Sequence, residues 1–442
     1  MCDHYHPLST ETPESVPGAY TRRRFLGGSL ALLSTAATAP AFLGRTGSAL
    51  ADTTMRLSST PGSSAHRVLV VVQLSGGNDG LNTVVPFGDD HYHRARPRLK
   101  ISEDEAVQLA GVDGIGLNPN LAPVGELIDA GQAAILQGVG YPNPNRSHFK
   151  SMDIWQQGTI DPAGADRGKG WIGKAMDGAI KPTDPDAGVA MVALAGQSQL
   201  ATMGRTIQPV SFDTPRTFRW AGHDLDDNVS SAYDALSGVP ASLRRRDDPA
   251  SFVRRTAMDA QAASSRLRKA SEAKTNTRFP ATGLGRQLRS VAGMIKSELP
   301  TRVYYVSMGG FDTHAGQGNR HTNLLREFAQ AVKAFQAELT STGHADRVVT
   351  VAFSEFGRRL RENASAGTDH GAAGPVFVFG SAVKPGLHGK HPSLTQLDQG
   401  DLIHHTDFRG VYTDLLENWM RMDASAAVAG RFKTPGVIRR GA

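Results

Sequence analysis

The chain has 442 residues, of which 39% are hydrophobic and 20% are charged, and its formal net charge is +6. This composition is typical of a folded globular protein and excludes the fibrous, collagen-like and wholly disordered classes. Cys2 is the one cysteine, so a disulfide within the chain and a cysteine-rich metal site are also excluded. Any metal ion must therefore be bound by His, Asp, Glu or Asn side chains.

Residues 1–51 are predicted to be an export signal that is removed. Paired arginines in Thr21–Leu26, which reads TRRRFL, precede an apolar run from Leu26 to Leu43, and the small residues Ala49–Ala51 suit a signal peptidase. This arrangement resembles a twin-arginine signal and predicts a secreted or periplasmic protein that engages the twin-arginine export machinery. The apolar run is interrupted and shorter than the ~18 apolar residues of a membrane span, so no stable span is expected after cleavage. An uncleaved anchor is the alternative.

Six short apolar runs rich in β-branched residues predict strands that are buried on both faces of one sheet. They follow a Ser, Thr and Pro-rich segment, 52–66, which we interpret as a flexible lead-in to a single domain over 67–442. The runs are Val68–Leu74, Ala133–Val139, Val189–Ala195, Val303–Met308, Val348–Phe353 and Val376–Phe379.

Helical patterns lie between these strands. The clearest, from Thr322 to Thr340, has apolar residues on one face and joins the strand at Val303 to the strand at Val348. We expect these two strands to be parallel neighbours, and the chain to form a doubly wound, mostly parallel α/β sheet with helices on both faces. Residues 241–296 carry 13 Lys or Arg against four acids and no strand-like run, which predicts a helical insertion. Because no groove-reading motif accompanies this charge, no nucleic-acid partner is expected.

Acidic residues and histidines gather directly after the predicted strands, where ligands bind in open α/β sheets. The first cluster, Ser75–Thr83, reads SGGNDGLNT and lacks the spacing of a dinucleotide-binding loop. A single cluster of this kind is more often a turn, but four on successive strand ends predict a site for one or two divalent cations. The predicted metal ligands are Asp79, Asp312, His314, Glu355, Asp369 and His370.

A second candidate site is the segment Tyr141–Phe149, which reads YPNPNRSHF and leads from a strand into a helix. Ser147 lies near the start of that helix, whose N-terminus stabilises negative charge, so Ser147 is either a nucleophile or only a helix cap. Arg146 can bind a phosphate or sulfate through two hydrogen bonds, and Arg358 offers a second cation. His148 could act as a general acid or base.

These clusters, in this order and behind this leader, resemble a family of bacterial exported proteins known as domain of unknown function 1501, over nearly the whole chain after the signal. The family is similar to the alkaline phosphatase superfamily, which includes sulfatases and metal-dependent phosphoglycerate mutases. The segments that carry the resemblance are Gly76–Asn82, Arg146–Phe149, Gly310–His314, Ser354–Arg358, Thr368–Gly371 and Thr406–Arg409.

The resemblance implies an alkaline phosphatase-like fold and a role for individual residues. Asp79 matches the first strand-end metal ligand, Ser147 matches the nucleophile approximately, and Asp312 and His370 match later ligands. The chain departs from the superfamily in two places. Glu355 precedes Phe356 where the superfamily has Asp-His, and only one residue separates Asp312 from the next histidine.

Two functions of different classes remain open from the sequence. The first is a metal-dependent hydrolase of phosphate or sulfate esters, in which the cation and the arginines Arg146 and Arg358 neutralise an anionic small-molecule substrate. The second is a non-catalytic secreted protein that keeps an enzyme-like fold for binding or assembly. The altered histidine pattern favours the second, and the gathered acids favour the first. A dehydrogenase ranks third because the first Gly-rich loop places Asp79 where a phosphate would bind.

Overall fold

The computed structural model describes residues 66–162, 166–181, 184, 187–195, 199–214 and 266–439. The predicted export signal, almost all of the lead-in and residues 241–265 of the predicted insertion lie outside the described residues. The described part of that insertion is helical at residues 266–271 and again over the whole helix Gly283–Lys296.

The strands fall where apolar, β-branched residues are concentrated, and those predicted at Val68, Val303 and Val348 have the predicted bounds. The strand predicted to begin at Val189 is shorter, because a 3₁₀ turn occupies Ala187–Val189. In chain order the strands are β1 Val68–Leu74, β2 Val84–Val85, β3 Val107–Gln108, β4 Gly116–Leu117, β5 Ala133–Gly140, β6 Met191–Leu194, β7 Val210–Ser211, β8 Val303–Met308, β9 Val348–Phe353, β10 Arg358–Glu362, β11 Thr368–His370, β12 Gly374–Phe379, β13 Gly386–His388, β14 Leu397–Asp398, β15 Asp401–Leu402 and β16 Thr406–Asp407.

The α-helices connect these strands, and one of them begins five residues before its apolar pattern does. That helix starts at Gln317 rather than Thr322, because its first turn is polar and buries Gln317 and His321 against the loop after β1. The helices are α1 Asp90–Ala95, α2 Ala122–Asp129, α3 His148–Gln157, α4 Trp171–Ala179, α5 Gly283–Lys296, α6 Gln317–Ser341 and α7 Phe408–Thr413, which continues as a π-helix over Asp414–Met420.

One large sheet organises the described residues. Its order is β13, β5, β12, β9, β1, β8, β6 and β7, with β16 also paired to β5. Within it β12 runs antiparallel to β5 and β9, and the other pairings are parallel. The mostly parallel sheet predicted from the sequence is confirmed.

Helices cover both faces of this sheet, as the alternation of side chains along β1 requires. Val70 and Val72 point to one face and pack in a core with residues of α5 and α6, such as Phe328. Leu69 and Val71 point to the other face and pack with residues of α3, α4 and α7. Every residue of β1 is therefore buried, which explains why all of its residues except Gln73 are apolar. The doubly wound architecture is also confirmed.

The predicted pairing of β8 with β9 is wrong in one respect. The two strands are parallel, but β1 lies between them and pairs with both. The long helix α6 is a crossover that passes over β1, since its 25 residues are long enough to span an intervening strand.

Strand direction brings the polar loops to one edge of the sheet. The parallel strands β1, β5, β8 and β9 all end there. Because β12 runs the opposite way, its beginning lies at that same edge, and β11 immediately precedes it. Five loops that are distant in sequence therefore meet at this edge.

None of the described helices has the length and the apolar character that a membrane-spanning segment needs.

A buried ion pair anchors the loop that follows β1. Asp79 and Arg96 are both fully buried, and Arg96 Nη1 donates to Asp79 Oδ2 at 2.5 Å. Arg96 also donates to the carbonyl oxygens of Arg359 and Leu360, and Gln317 donates to Asp79 Oδ2. Burial alone would raise the pKa of Asp79, but the charge and hydrogen bond of Arg96 outweigh it and hold that pKa below its ordinary value.

Replacement of Arg96 by Ala should lower the free energy of unfolding by about 3–5 kcal/mol, because the charge of Asp79 would remain buried without its partner. Urea denaturation measures the loss. Arg94→Ala is the matched control in the same helix, since Arg94 and its partner Asp90 are exposed, and it should cost no more than about 0.5 kcal/mol. Equal losses in the two variants would contradict a structural role for the buried pair.

Candidate metal centre

Asp312 lies at the centre of the candidate site. It follows β8 after Gly310, whose φ of +104° is in the region that favours glycine, and after the fully buried Phe311. Gly76, with φ of +122°, packs so closely on this turn that a Cβ atom there would collide with the Asp312 backbone nitrogen. The glycines of the loops after β1 and β8 therefore allow the backbones to approach one another at the position of this carboxylate.

Three imidazole nitrogens converge on one oxygen of this carboxylate. Asp312 Oδ1 lies 3.1 Å from His370 Nε2, 3.0 Å from His314 Nε2 and 3.5 Å from His148 Nε2. The Nε2 atoms of His314 and His370 are themselves 2.9 Å apart. Among the described residues, His148, Asp312 and His370 form a group whose ligand atoms all lie within 4.8 Å of one another. We call these three residues the metal-ligand group.

The other ring nitrogens show how the imidazoles are oriented. His148 Nδ1 is 2.8 Å from Glu355 Oε1, and His370 Nδ1 is 2.9 Å from the carbonyl oxygen of Arg146. A carboxylate and a carbonyl oxygen only accept hydrogen bonds, so both Nδ1 atoms must carry the proton. In the neutral ring Nε2 then presents its lone pair to Asp312.

Lone pairs that point at a carboxylate oxygen repel it unless positive charge lies between them. His148 Nε2 is buried and has no hydrogen-bond partner, although it faces this oxygen. Histidines that bind metal ions typically donate their second nitrogen to a carboxylate or carbonyl oxygen, as His148 and His370 do. The donor set of imidazole nitrogen and carboxylate oxygen therefore fits a divalent transition-metal cation such as zinc.

The pKa values follow from the same contacts. The hydrogen bond to Glu355 is the largest cause that raises the pKa of His148 above its ordinary value. Burial lowers the pKa of His370, which has a carbonyl partner in place of a carboxylate. Burial would raise the pKa of Asp312, but the hydrogen bond and the charge of Arg358 outweigh it and lower the pKa to about 2. Asp312 is therefore ionised near neutral pH.

The remaining predicted ligands lie around this group rather than within it. Glu355 is almost fully buried behind His148, and Asp369 is 3.4 Å from Nδ1 of His314 on the exposed side. Asp79 is buried in its ion pair with Arg96, outside the metal-ligand group. Direct metal binding by Asp79, Glu355, His314 and Asp369 stays a prediction.

Arg358 is fully buried, so its guanidinium does not face a substrate. It donates to the carbonyl oxygens of Gly76, Gly77, Phe311 and Thr368 and, at 2.8 Å, to Asp312 Oδ1. Its physical effect is to fix the central carboxylate and the loops around it.

Arg146 and Arg359 form the exposed cationic part of the site. Arg146 is 2.6 Å from Asp401 Oδ2, and Arg359 Nε is 3.3 Å from Asp401 Oδ1. The Asp401 side chain is 3% exposed, whereas the two arginines are about one-third exposed. Two guanidinium groups thus share one carboxylate, which leaves a surplus positive charge facing solvent.

Ser147 immediately precedes α3 at the N-cap position, but its side chain makes no cap hydrogen bond. Its backbone N–H donates to Asn145 Oδ1 instead. The interpretation of Ser147 as only a helix cap therefore lacks the hydrogen bond that defines a cap. The nucleophile role stays a prediction.

Sequence reasoning missed Arg96, Gln317, Arg359 and Asp401. Gln317 and Asp401 follow no predicted strand, and Arg96 lies in a short helix without a distinctive pattern. Arg359 directly follows the predicted site residue Arg358, and this adjacency is the one feature of the sequence that could have indicated it. The position of His148 beside Asp312 and His370 was also missed, because a histidine at a helix start equally suits acid–base chemistry.

Comparisons with known proteins place the chain in a family by sequence. A family model described as "Protein of unknown function (DUF1501)" matches residues 65–417, which is more than half of the chain. No curated protein matches the chain in sequence.

Solved structures also align with the chain at low identity. A phosphonate monoester hydrolase from Silicibacter pomeroyi is 11% identical with a TM-score of 0.31, over 84% of this chain and 76% of that one. The PsFucS1 sulfatase from Pseudoalteromonas sp. is 9% identical with a TM-score of 0.37, over 90% and 76%. The C-terminal periplasmic domain of EcEptC from Escherichia coli, in complex with Zn, is 10% identical with a TM-score of 0.31, over 80% and 84%. With TM-scores below 0.5, the function must be inferred from the residues of the site.

Glu355→Gln should lower the pKa of His148, because it removes the charge of the hydrogen-bond partner that raises this pKa. NMR titration of the His148 ring in metal-free protein measures the shift. A metal ion needs the neutral ring, so metal binding should weaken as the pH falls through the pKa of His148, and this loss should move to lower pH in the variant.

Glu362→Gln is the matched control for this experiment. The Glu362 side chain is 5% exposed and pairs with Arg98 instead of a histidine. This variant should leave the pKa of His148 unchanged, and an unchanged pKa in Glu355→Gln as well would overturn the assigned role of Glu355.

Proposed function

The chain belongs to the DUF1501 family of proteins of unknown function, and for this member we propose a metal-dependent hydrolase that acts on phosphate or sulfate esters. The observation that carries the proposal is the convergence of His148 Nε2 and His370 Nε2 on Asp312 Oδ1. Their Nδ1 protons are engaged by Glu355 and the Arg146 carbonyl oxygen, so the lone pairs at Nε2 are available to a cation.

In this proposal His148, Asp312 and His370 hold a divalent cation, and His314 lies close enough to Asp312 to add a further nitrogen. Such a cation stabilises the negative charge that develops on the oxygens of an ester during hydrolysis. His148 Nε2 itself is buried, but Asp312 and His314 are open to solvent, since their side chains are 47% and 45% exposed. A substrate can therefore reach them without a rearrangement of the sheet.

The surplus charge of Arg146 and Arg359 supports an anionic substrate. Arg146 is joined to the metal-ligand group through its carbonyl oxygen, which accepts from His370. A guanidinium binds a phosphate or sulfate group through two parallel hydrogen bonds. Arg146 and Arg359 would thus bind the ester anion, while the buried Arg358 fixes Asp312 through its hydrogen bond to Oδ1.

Ser147 is the proposed nucleophile. It directly precedes His148, and no helix-cap hydrogen bond engages its side chain. The N-terminus of α3, which has ten residues, favours negative charge at this position. Attack by the hydroxyl oxygen on phosphorus or sulfur would release the alcohol, and water would then release phosphate or sulfate from Ser147.

We also propose that the protein is exported by the twin-arginine route. Arg22 and Arg23, followed by an apolar run and the small residues Ala49–Ala51, support this route. The folded protein would then act outside the cytoplasm.

His370→Ala should weaken metal binding by more than about 100-fold, because it removes a ligand rather than one of its supporting contacts. Elemental analysis and titration with zinc measure the effect. His388→Ala in β13 is the matched control, since His388 Nε2 contacts the carbonyl oxygen of Lys384, and it should bind as the wild type does.

The metal-loaded wild-type protein should hydrolyse members of a panel of phosphomonoesters, phosphodiesters and sulfate esters, and EDTA should abolish that hydrolysis. Ser147→Ala should lose turnover while it retains metal. Stoichiometric metal with no hydrolysis across the panel would contradict the hydrolase and support a binding or assembly protein.

Replacement of Arg22 and Arg23 by Lys should keep the full-length precursor in the cytoplasm, because the paired arginines are the recognised feature. Cell fractionation followed by immunoblotting measures the distribution. Arg45→Lys, outside the pair, should be exported normally. Undiminished export of the double variant would exclude the twin-arginine route.

A further inference from the structure

Phe149 is unusually exposed for a large apolar side chain. Among the described residues, the exposed large hydrophobic side chains are Phe149, at 86%, and Ile403, at 41%. Scattered apolar side chains on a surface need no explanation, but Phe149 occupies a special place. It directly follows His148 in the first turn of α3, beside the metal-ligand group.

The Phe149 ring does not pack in the protein core. The apolar face of α3 is formed by Ile154 and Trp155, both nearly fully buried. Trp155 stacks on Phe353 and Phe408, with ring centroids 5.0 and 4.6 Å apart. Phe149 belongs to the solvent side of the helix and contributes nothing to that core.

The position of the ring relative to the proposed anion site follows from chain geometry. Arg146 and Phe149 are separated by only Ser147 and His148, and consecutive Cα atoms are ~3.8 Å apart. The Cα atoms of Arg146 and Phe149 are therefore at most ~11 Å apart. An organic group attached to an anion that contacts Arg146 can extend over this distance to the exposed Phe149 ring. Aromatic rings bind flat apolar partners by stacking, with little loss of conformational freedom.

We infer that Phe149 is a substrate-binding residue that selects esters whose organic group presents a flat apolar face. An aryl ring and the apolar face of a sugar ring share this chemistry. The inference rests on the proposed function, since it names the class of ester that the same site accepts. It assigns Phe149 to binding of the organic group and Arg146 to binding of the anion.

The test uses phosphonates, which bind as the esters do but are not cleaved. Calorimetry on the metal-loaded protein compares phenylphosphonate and a glucosyl phosphonate with methylphosphonate, which carries the same anion without a ring. The wild type should bind at least one ring-bearing ligand about three- to tenfold more tightly than methylphosphonate. Tighter binding of phenylphosphonate would indicate that the flat face belongs to an aryl ring. Tighter binding of the glucosyl phosphonate would indicate a sugar ring.

Phe149→Ala should abolish this preference, and Phe149→Trp should retain it. Lys150→Ala is the matched control, because Lys150 is exposed on the same helix and carries no ring. A wild type that binds all three ligands equally, or a preference that survives Phe149→Ala, would overturn the inference.

Size-exclusion chromatography supplies a second readout. A dimer that becomes a monomer in Phe149→Ala would show that the ring contacts a second copy of the chain, and the inference would be wrong. Failure of this inference is distinguishable from failure of the proposed function, because calorimetry measures binding and not hydrolysis. A protein that hydrolyses no ester still reveals whether it prefers ring-bearing ligands.

Discussion

The buried guanidinium of Arg358 is the interaction on which the site depends. It contacts the loop after β1 at Gly76 and Gly77, the turn after β8 at Phe311, and β11 at Thr368. Its one carboxylate partner is Asp312, the oxygen of which also faces the imidazoles. A buried cation requires a nearby anion, so the position of Asp312 is set by the stability of the fold as well as by any metal ion.

The reversed direction of β12 is the second requirement. If β12 were parallel to its neighbours, the segment before it would lie at the opposite edge of the sheet, and His370 could not approach Asp312. Instead β12 pairs antiparallel with β5 and β9, and His370 lies at the end of the strand before it. One antiparallel strand in a mostly parallel sheet thus brings together His148, Asp312 and His370, which come from three distant parts of the sequence.

Sequence patterns predicted the structure correctly where the residues that determine it are adjacent in the chain. Continuous apolar runs predicted β1, β8 and β9, and the rule that polar loops gather at the carboxyl ends of parallel strands predicted that the loops of Asp312 and Glu355 would lie at one edge. His370 was expected at the same edge, but that position depends on the reversed direction of β12, which the sequence did not indicate. The sequence also could not show that Asp79 would be neutralised by Arg96 or that Asp401 would be shared by two arginines. Such pairings depend on the three-dimensional path of segments that have no pattern of their own, and the position of β1 between β8 and β9 is likewise a property of the whole sheet.

The wide separation of His148, Asp312 and His370 along the chain has a thermodynamic consequence. These side chains come together only when the strands that carry them have paired, so a partly folded chain offers no comparable set of ligands. A cation that binds this set stabilises the native state alone, by an amount that rises with the logarithm of its free concentration. If the proposed twin-arginine export takes place, the chain folds before it crosses the membrane, and the first cations that it meets are those of the compartment in which it is synthesised.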